Sequence, residues 1–422
     1  MTTDTPTARP DDATDTTTTT GSDTSTRAAA PLAVPAAHGG CPFDPPPAYQ
    51  EAHREGPITR VSLWDGAPCW LLTGYRHTRA VLGDHRFSAD ARVPGFPFLV
   101  PGRRELITRT TPSFLRLDDP EHARQRRMLT GDFIIKRVEA LRPRIQQIVD
   151  EALDAMIAKG GPADLVQEFA LPVPSLVICL LLGVPYADHE FFQRHSRTLL
   201  DIRVDIDRVD AAQRALTDYL GDLADRKRRE PDDSVLGRLV ARDELTRAEA
   251  AAMGLLLLVA GHETTANMTA LGTLALLHHP EQAQRLRAQP ELIKGAVEEL
   301  LRYLTIVHLG LPRVALEDVD LDGTLIRAGE GVLCMVSTAN RDAGMFEDGD
   351  RLDVTRDARR HLAFGFGIHQ CLGQPLARAE LQIALGTLLR RLPDLRLAVP
   401  FEEVEIREES LVHGLRELPV SW

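Results

Sequence analysis

The stretch from Thr246 to His279 constrains the fold of this chain more than any other. Thr246-Arg-Ala-Glu249 has the form of a capping box, in which hydroxyl and carboxylate each satisfy an orphan amide of the first turn. A helical pattern then runs to His278-His279 and stops before Pro280. At 1.5 Å per residue it spans roughly 50 Å. It is apolar on nearly every face, as a helix enclosed by other elements is. A chain built around such a rod needs a large, mostly helical body, and 422 residues can supply one.

One polar cluster, Ala260-Gly261-His262-Glu263-Thr264-Thr265, interrupts the rod. Glycine there costs about 1 kcal/mol against alanine, which predicts that the helix opens at Gly261. A threonine bonding back to an upstream carbonyl bends it further. His262-Glu263 starts like a zinc HExxH, but the last position is Ala266, so that reading fails. His262 is expected to pack between helices or reach solvent.

Elsewhere the pattern is coarser. Residues 1–40 are rich in Thr, Asp, Ala and Pro and are expected to be disordered, leaving residues 41–422 as one folded domain. Strand-like stretches at 58–63 and 69–73 flank Asp65-Gly66, a hairpin signal. Helical patterns dominate from about Pro120 to Pro312. Short strands, one more helix from about Gln374 and strand-like segments complete the chain. The prediction is a mainly α protein with small sheets near its two ends.

Acidic residues outnumber basic ones, 61 against 49, which argues against bulk nucleic-acid binding. The five cysteines are widely spaced and form no CxxC, so a disulfide framework is not expected and a reducing cytoplasm is the simpler setting. The longest apolar runs, near 175–185 and 251–261, are too short for a bilayer, and no signal peptide is read.

The chemistry concentrates in Phe364-Gly-Phe-Gly-Ile-His-Gln-Cys-Leu-Gly373, a glycine-rich loop running into a helix. Glycines allow positive φ and close approach to a flat ligand. Cys371 at a helix start meets free amides that favour a thiolate, and Pro375 suits the first turn. The spacing of Phe364, Gly367, His369, Cys371 and Gly373 resembles the cysteine-ligand loop of the cytochrome P450 family. That resemblance covers about residues 41–422 and implies a mainly α fold with minor sheets. Haem b would lie between the long helix and the helix after Cys371, with Cys371 as axial ligand and Phe364, Gly365, Gly373, Ala260 and Gly261 against the ring.

The resemblance extends to other residues. Glu299 and Arg302 would be an ordinary surface pair if taken alone; in the family they form a buried ExxR lock, here completed by Arg356. Glu263 and Thr264 resemble the acid and alcohol that bring protons to bound dioxygen. His122, Arg126, Arg313 and His369 would hold the propionates. Arg124, Arg127, Arg359, Arg360 and Arg378 would form a positive face for a ferredoxin-type electron donor. Alignment suggests Leu256, Val259, Leu309 and Val412 as pocket lining and Phe87–Pro101 as part of a mobile roof.

The activity implied is insertion of one oxygen atom from O2 into a small organic substrate, most often by C–H hydroxylation. Residues 40–45, 260–265 and 414–422 resemble actinobacterial members, many of which tailor secondary metabolites while others act on foreign compounds. The same haem could instead serve epoxidation, oxidative coupling or peroxide use, and a haem-free helical binding protein is the remaining alternative.

Overall fold

The computed structural model describes residues 32–422, with fourteen α-helices and eleven short strands among them. The expectation of disorder for residues 1–31 lies outside the described residues. For 32–40 it is corrected. Leu32–Val34 is a strand parallel to Val61–Leu63, and His38 is buried. Val34 packs with Tyr49, Val61 and Leu71, so two apolar residues amid alanine and proline suffice to anchor the segment.

The predicted hairpin is present. Ile58–Leu63 and Pro68–Leu72 pair antiparallel, and Gly66 takes φ +81° at the turn. Small sheets form as expected, Arg396–Leu397, Pro419–Ser421 and Ala163–Asp164 making one of them, but the largest sheet draws on distant segments. Pro68–Leu72 pairs in parallel with Gly331–Cys334, so strands from both ends join in one six-stranded sheet. Its order is Leu32–Val34, Ile58–Leu63, Pro68–Leu72, Gly331–Cys334, Leu311–Ala315, Phe87–Ser88. Local pattern cannot show a pairing across such a separation.

The rod is a single α-helix, Arg247–His278, capped as predicted. Thr246 Oγ1 accepts from the Glu249 amide at 3.2 Å, and the Thr246 amide donates to Glu249 Oε2 at 3.0 Å. Every residue from Thr265 to Leu276 is buried. Helices Pro172–Leu182, Ile206–Arg229 and Gln374–Arg391 pack around it. Its inner threonines need no outside partner, because Thr269 and Thr273 donate to the carbonyls four residues upstream.

Beside it runs helix Ile293–Leu304, which carries Glu299 and Arg302, both wholly buried. Arg302 makes two bonds to the Glu299 carboxylate, at 2.7 and 2.8 Å. Its Nη1 donates to the carbonyls of Asn340 and Gly349, while Arg356 Nε reaches Glu299 Oε1 at 3.2 Å. The pair is the buried lock with Arg356 that the resemblance implied, not the surface pair that its spacing alone would suggest. It holds the segment leading into the cysteine loop against the core.

Candidate functional site

The loop before Cys371 is closed by its own backbone. The Cys371 amide donates to the Phe364 carbonyl at 2.8 Å, and Gly365 and Gly367 take φ +69° and +74°. A Cβ on Gly367 would lie 2.3 Å from the Leu82 carbonyl oxygen, so the loop fits against the helix beneath only with glycine there. The helix begins at Gln374, three residues after Cys371, not at the cysteine itself. Burial pushes the Cys371 thiol above its usual pKa, against the pull of the Gly373 and Gln374 amides and of Arg126 and Arg378. A metal cation bound to this sulfur would add the positive charge that favours the thiolate.

Cys371 opens onto an internal cavity of about 570 Å³. Phe364, Gly365 and Gly373 line it from the cysteine side, and Ala260, Gly261, Thr264 and Thr265 line it from the long helix. Leu256, Leu309 and Val412 also lie on its wall. Val259 does not: it faces a second cavity, turned away by its position on the helix. The Phe87–Pro101 segment is better anchored than expected, since Phe87–Ser88 is a sheet strand and Phe96 and Phe98 are buried.

Gly261 has a different cause from the one predicted. The helix is continuous through it, but a Cβ there would lie 2.7 Å from both Cγ1 and Cδ1 of buried Ile178. Its small size lets two helices approach. Gly261→Ala should cost about 1–3 kcal/mol through overpacking, despite alanine's better helix propensity. In a double-mutant cycle read by urea unfolding, Ile178→Ala should relieve most of that cost. Strictly additive effects would show that the contact does not govern this position.

The polar cluster splits between two surroundings. Thr264 Oγ1 donates to the Ala260 carbonyl at 2.7 Å and faces the cavity. Glu263 is buried behind the wall, where Arg407 Nη1 reaches its Oε2 at 3.3 Å and its Oε1 has no partner. Arg407 was missed from sequence, because nothing local ties it to a carboxylate 144 positions upstream. His262 does not reach solvent. It is fully buried, and its Nδ1 lies 2.7 Å from the Leu258 carbonyl.

One edge of the cavity is cationic. Arg126, Arg313 and His369 line it, together with Arg116, which sequence reasoning also missed; an arginine flanked by two leucines was the available signal. Burial lowers the pKa of Arg116 to about 10, with Arg313 acting in the same direction. Burial also depresses His369 to about 3, helped by Arg313, His122, Arg126 and Arg116. Both ring nitrogens of His369 are buried without a hydrogen-bond partner among the described residues. His122 stands behind this edge rather than on it, its ring 4.4 Å from that of His369, and its Nε2 is also unpartnered. Positive groups around idle donors, at the rim of an apolar slot with a thiol, suit a flat apolar ring that bears carboxylates and a metal.

The family model described as cytochrome P450 matches residues 191–413. Cytochrome P450-SU2 of Streptomyces griseolus is 64% identical over 93% of this chain and 97% of its own. The chain belongs to the cytochrome P450 family. Pentalenic acid synthase of Streptomyces avermitilis is 53% identical over 94% of this chain and 99% of its own. Among solved structures, the mycinamicin VIII C21 methyl hydroxylase MycCI from Micromonospora griseorubida, bound to mycinamicin VIII, superposes with TM-score 0.88 at 42% identity. It covers 93% of this chain and 100% of its own. The protein is thus a cytochrome P450 monooxygenase, of a family that works with haem iron, O2, a substrate and a redox partner. Among the described residues no helix is long and apolar enough to cross a membrane.

Within this P450 the expected positive face is smaller than predicted. Arg378 makes a bidentate pair with Glu298, at 2.7 and 2.9 Å, and lies over the Phe364 ring. Burial raises the Glu298 carboxyl, but hydrogen bonds from His361 and Arg378 outweigh it and draw the pKa down to about 2. Arg124 is taken up by Glu121 and Glu249, and Arg359 by Asp357. Neighbouring carboxylates quench these cations, which a count of arginines does not reveal. Only Arg127 and Arg360 of the five are exposed without an ion-pair partner among the described residues.

Proposed function

We propose that this P450 hydroxylates a C–H bond of a small, predominantly apolar organic molecule, with electrons from a ferredoxin-type carrier. One oxygen atom of O2 enters the product and the other leaves as water, consuming two electrons and two protons. Cys371 would hold haem b, Arg116, Arg126, Arg313 and His369 would pair with its carboxylates, and the bound group would supply the oxygen-activating chemistry. The chain's own residues exclude water and deliver the protons.

The observation that carries this reading is the setting of Thr264. Its hydroxyl hydrogen is committed to the Ala260 carbonyl, so its oxygen lone pairs are left to accept from a water in the cavity. Glu263, one residue before it, has a free carboxylate oxygen and a link through the partly exposed Arg407 toward the surface. That pair offers a proton path through a wall that is mostly apolar away from its cationic edge. The relatives' names support hydroxylation of natural products, and the exposed Arg127 and Arg360 support an acidic electron carrier.

Turnover with a surrogate ferredoxin and its reductase tests the proposal, using a substrate chosen by spin-state titration of an apolar terpenoid and macrolide panel. Thr264→Ala should keep NADPH consumption while product per NADPH falls about tenfold and hydrogen peroxide rises. Glu263→Gln should slow consumption itself by roughly 10–100-fold. Unchanged coupling in Thr264→Ala, or spin shifts only with charged ligands, would overturn it.

A further inference from the structure

Behind the cavity wall lies a second group of side chains, distant in sequence and unused by the reaction. His38, His308 and His413 are all buried. Their rings are nearly parallel, with centroids 4.1 to 5.0 Å apart, and one nitrogen from each falls within 4.8 Å of the others. Gly39 and Gly40 both take positive φ as the chain leaves His38. The His413 amide donates to the Ile306 carbonyl at 2.8 Å, which holds the other two segments together.

Two of the tautomers follow from their partners. His413 Nε2 lies 2.8 Å from the Pro42 carbonyl and His308 Nε2 lies 3.3 Å from the Leu304 carbonyl. A carbonyl only accepts, so both Nε2 atoms carry hydrogen and both Nδ1 atoms carry a lone pair. Among the described residues, His308 Nδ1 and both nitrogens of His38 are buried without a hydrogen-bond partner. Stacking satisfies none of these atoms, and buried polar groups left idle need an explanation. In His308 and His413 one nitrogen donates to a backbone carbonyl and leaves the other free, as metal-binding histidines do.

We infer that His38, His308 and His413 form a binding site for a divalent transition-metal ion of the zinc class, with water as fourth ligand. Three neutral imidazoles suit such an ion. Nitrogens about 2.0–2.1 Å from zinc stand about 3.4 Å apart in a tetrahedron, so the rings must turn out of their stack to aim their lone pairs at one ion. The ion would staple the N-terminal lead-in to the two segments whose neighbouring residues Val307, Leu309, Leu411 and Val412 line the substrate cavity.

The test uses the full-length haem protein, stripped with EDTA and dialysed against micromolar zinc chloride. Expected are about one zinc per haem iron by elemental analysis, a higher melting temperature with zinc, and nitrogen scatterers of three imidazoles at the zinc absorption edge. His38→Gln should weaken zinc binding at least about tenfold and remove the melting shift. Should that variant fail to fold, the zinc-edge spectrum of the unaltered protein decides. Less than about one zinc per ten chains, the same zinc affinity in His38→Gln, or a zinc edge without imidazoles would overturn the assignment.

Discussion

Cys371→Ser should leave a folded protein whose reduced carbon monoxide complex lacks the red-shifted Soret band and whose turnover is lower by about a thousandfold or more. The fold should persist because the loop is held by backbone, through the Cys371 amide on the Phe364 carbonyl and the close seat of Gly367 on Leu82. The chemistry should not, because serine offers a harder, far less acidic oxygen and cannot push electron density as a thiolate does. Far-UV circular dichroism and the carbon monoxide difference spectrum separate the two effects. A serine variant that retained the band and its turnover would remove Cys371 from the site altogether.

Arg302→Ala should be the most damaging change outside the cavity. It strands the fully buried Glu299 carboxylate and leaves the Asn340 and Gly349 carbonyls without their donor. Breaking one side of a buried pair costs about 3–5 kcal/mol, a large share of the roughly 5–15 kcal/mol that holds a domain together. Arg302→Lys should recover little, since one ammonium cannot reproduce a bidentate bond and three further donations at fixed angles. Urea unfolding of the haem-loaded protein measures the loss. A change below about 1 kcal/mol would mean that Arg356 alone can hold Glu299 and that the lock is redundant.

What was readable in the sequence was local. The capping box at Thr246, the hairpin at Asp65-Gly66 and the cysteine loop depend on spacings of a few residues, and each appears where expected. The burial of Glu299 and Arg302 was readable only through the family resemblance, because their spacing alone does not say what the rest of the chain brings over them. The reverse held for the arginines around the cysteine loop. Arg378 looked like a free surface cation until Glu298, 80 positions away, proved to occupy it. Arg407 on Glu263, Ile178 against Gly261 and the three stacked histidines are likewise meetings of residues far apart in the chain. No periodicity or motif encodes them. Val259 failed for a different reason: a rotation of one residue along a helix turns a side chain by about 100°, and the wall it faces is decided by neighbouring helices.

The parallel pairing of Pro68–Leu72 with Gly331–Cys334 also bears on biosynthesis. About 260 residues separate the partners, and at roughly 5–20 residues per second a ribosome needs some 13–50 s to make them. During that interval the early hairpin emerges with an unsatisfied edge, the kind of surface that recruits stray strands from other nascent chains. Expression at lower temperature or with abundant chaperones acts on this window, long before haem or substrate has anything to bind.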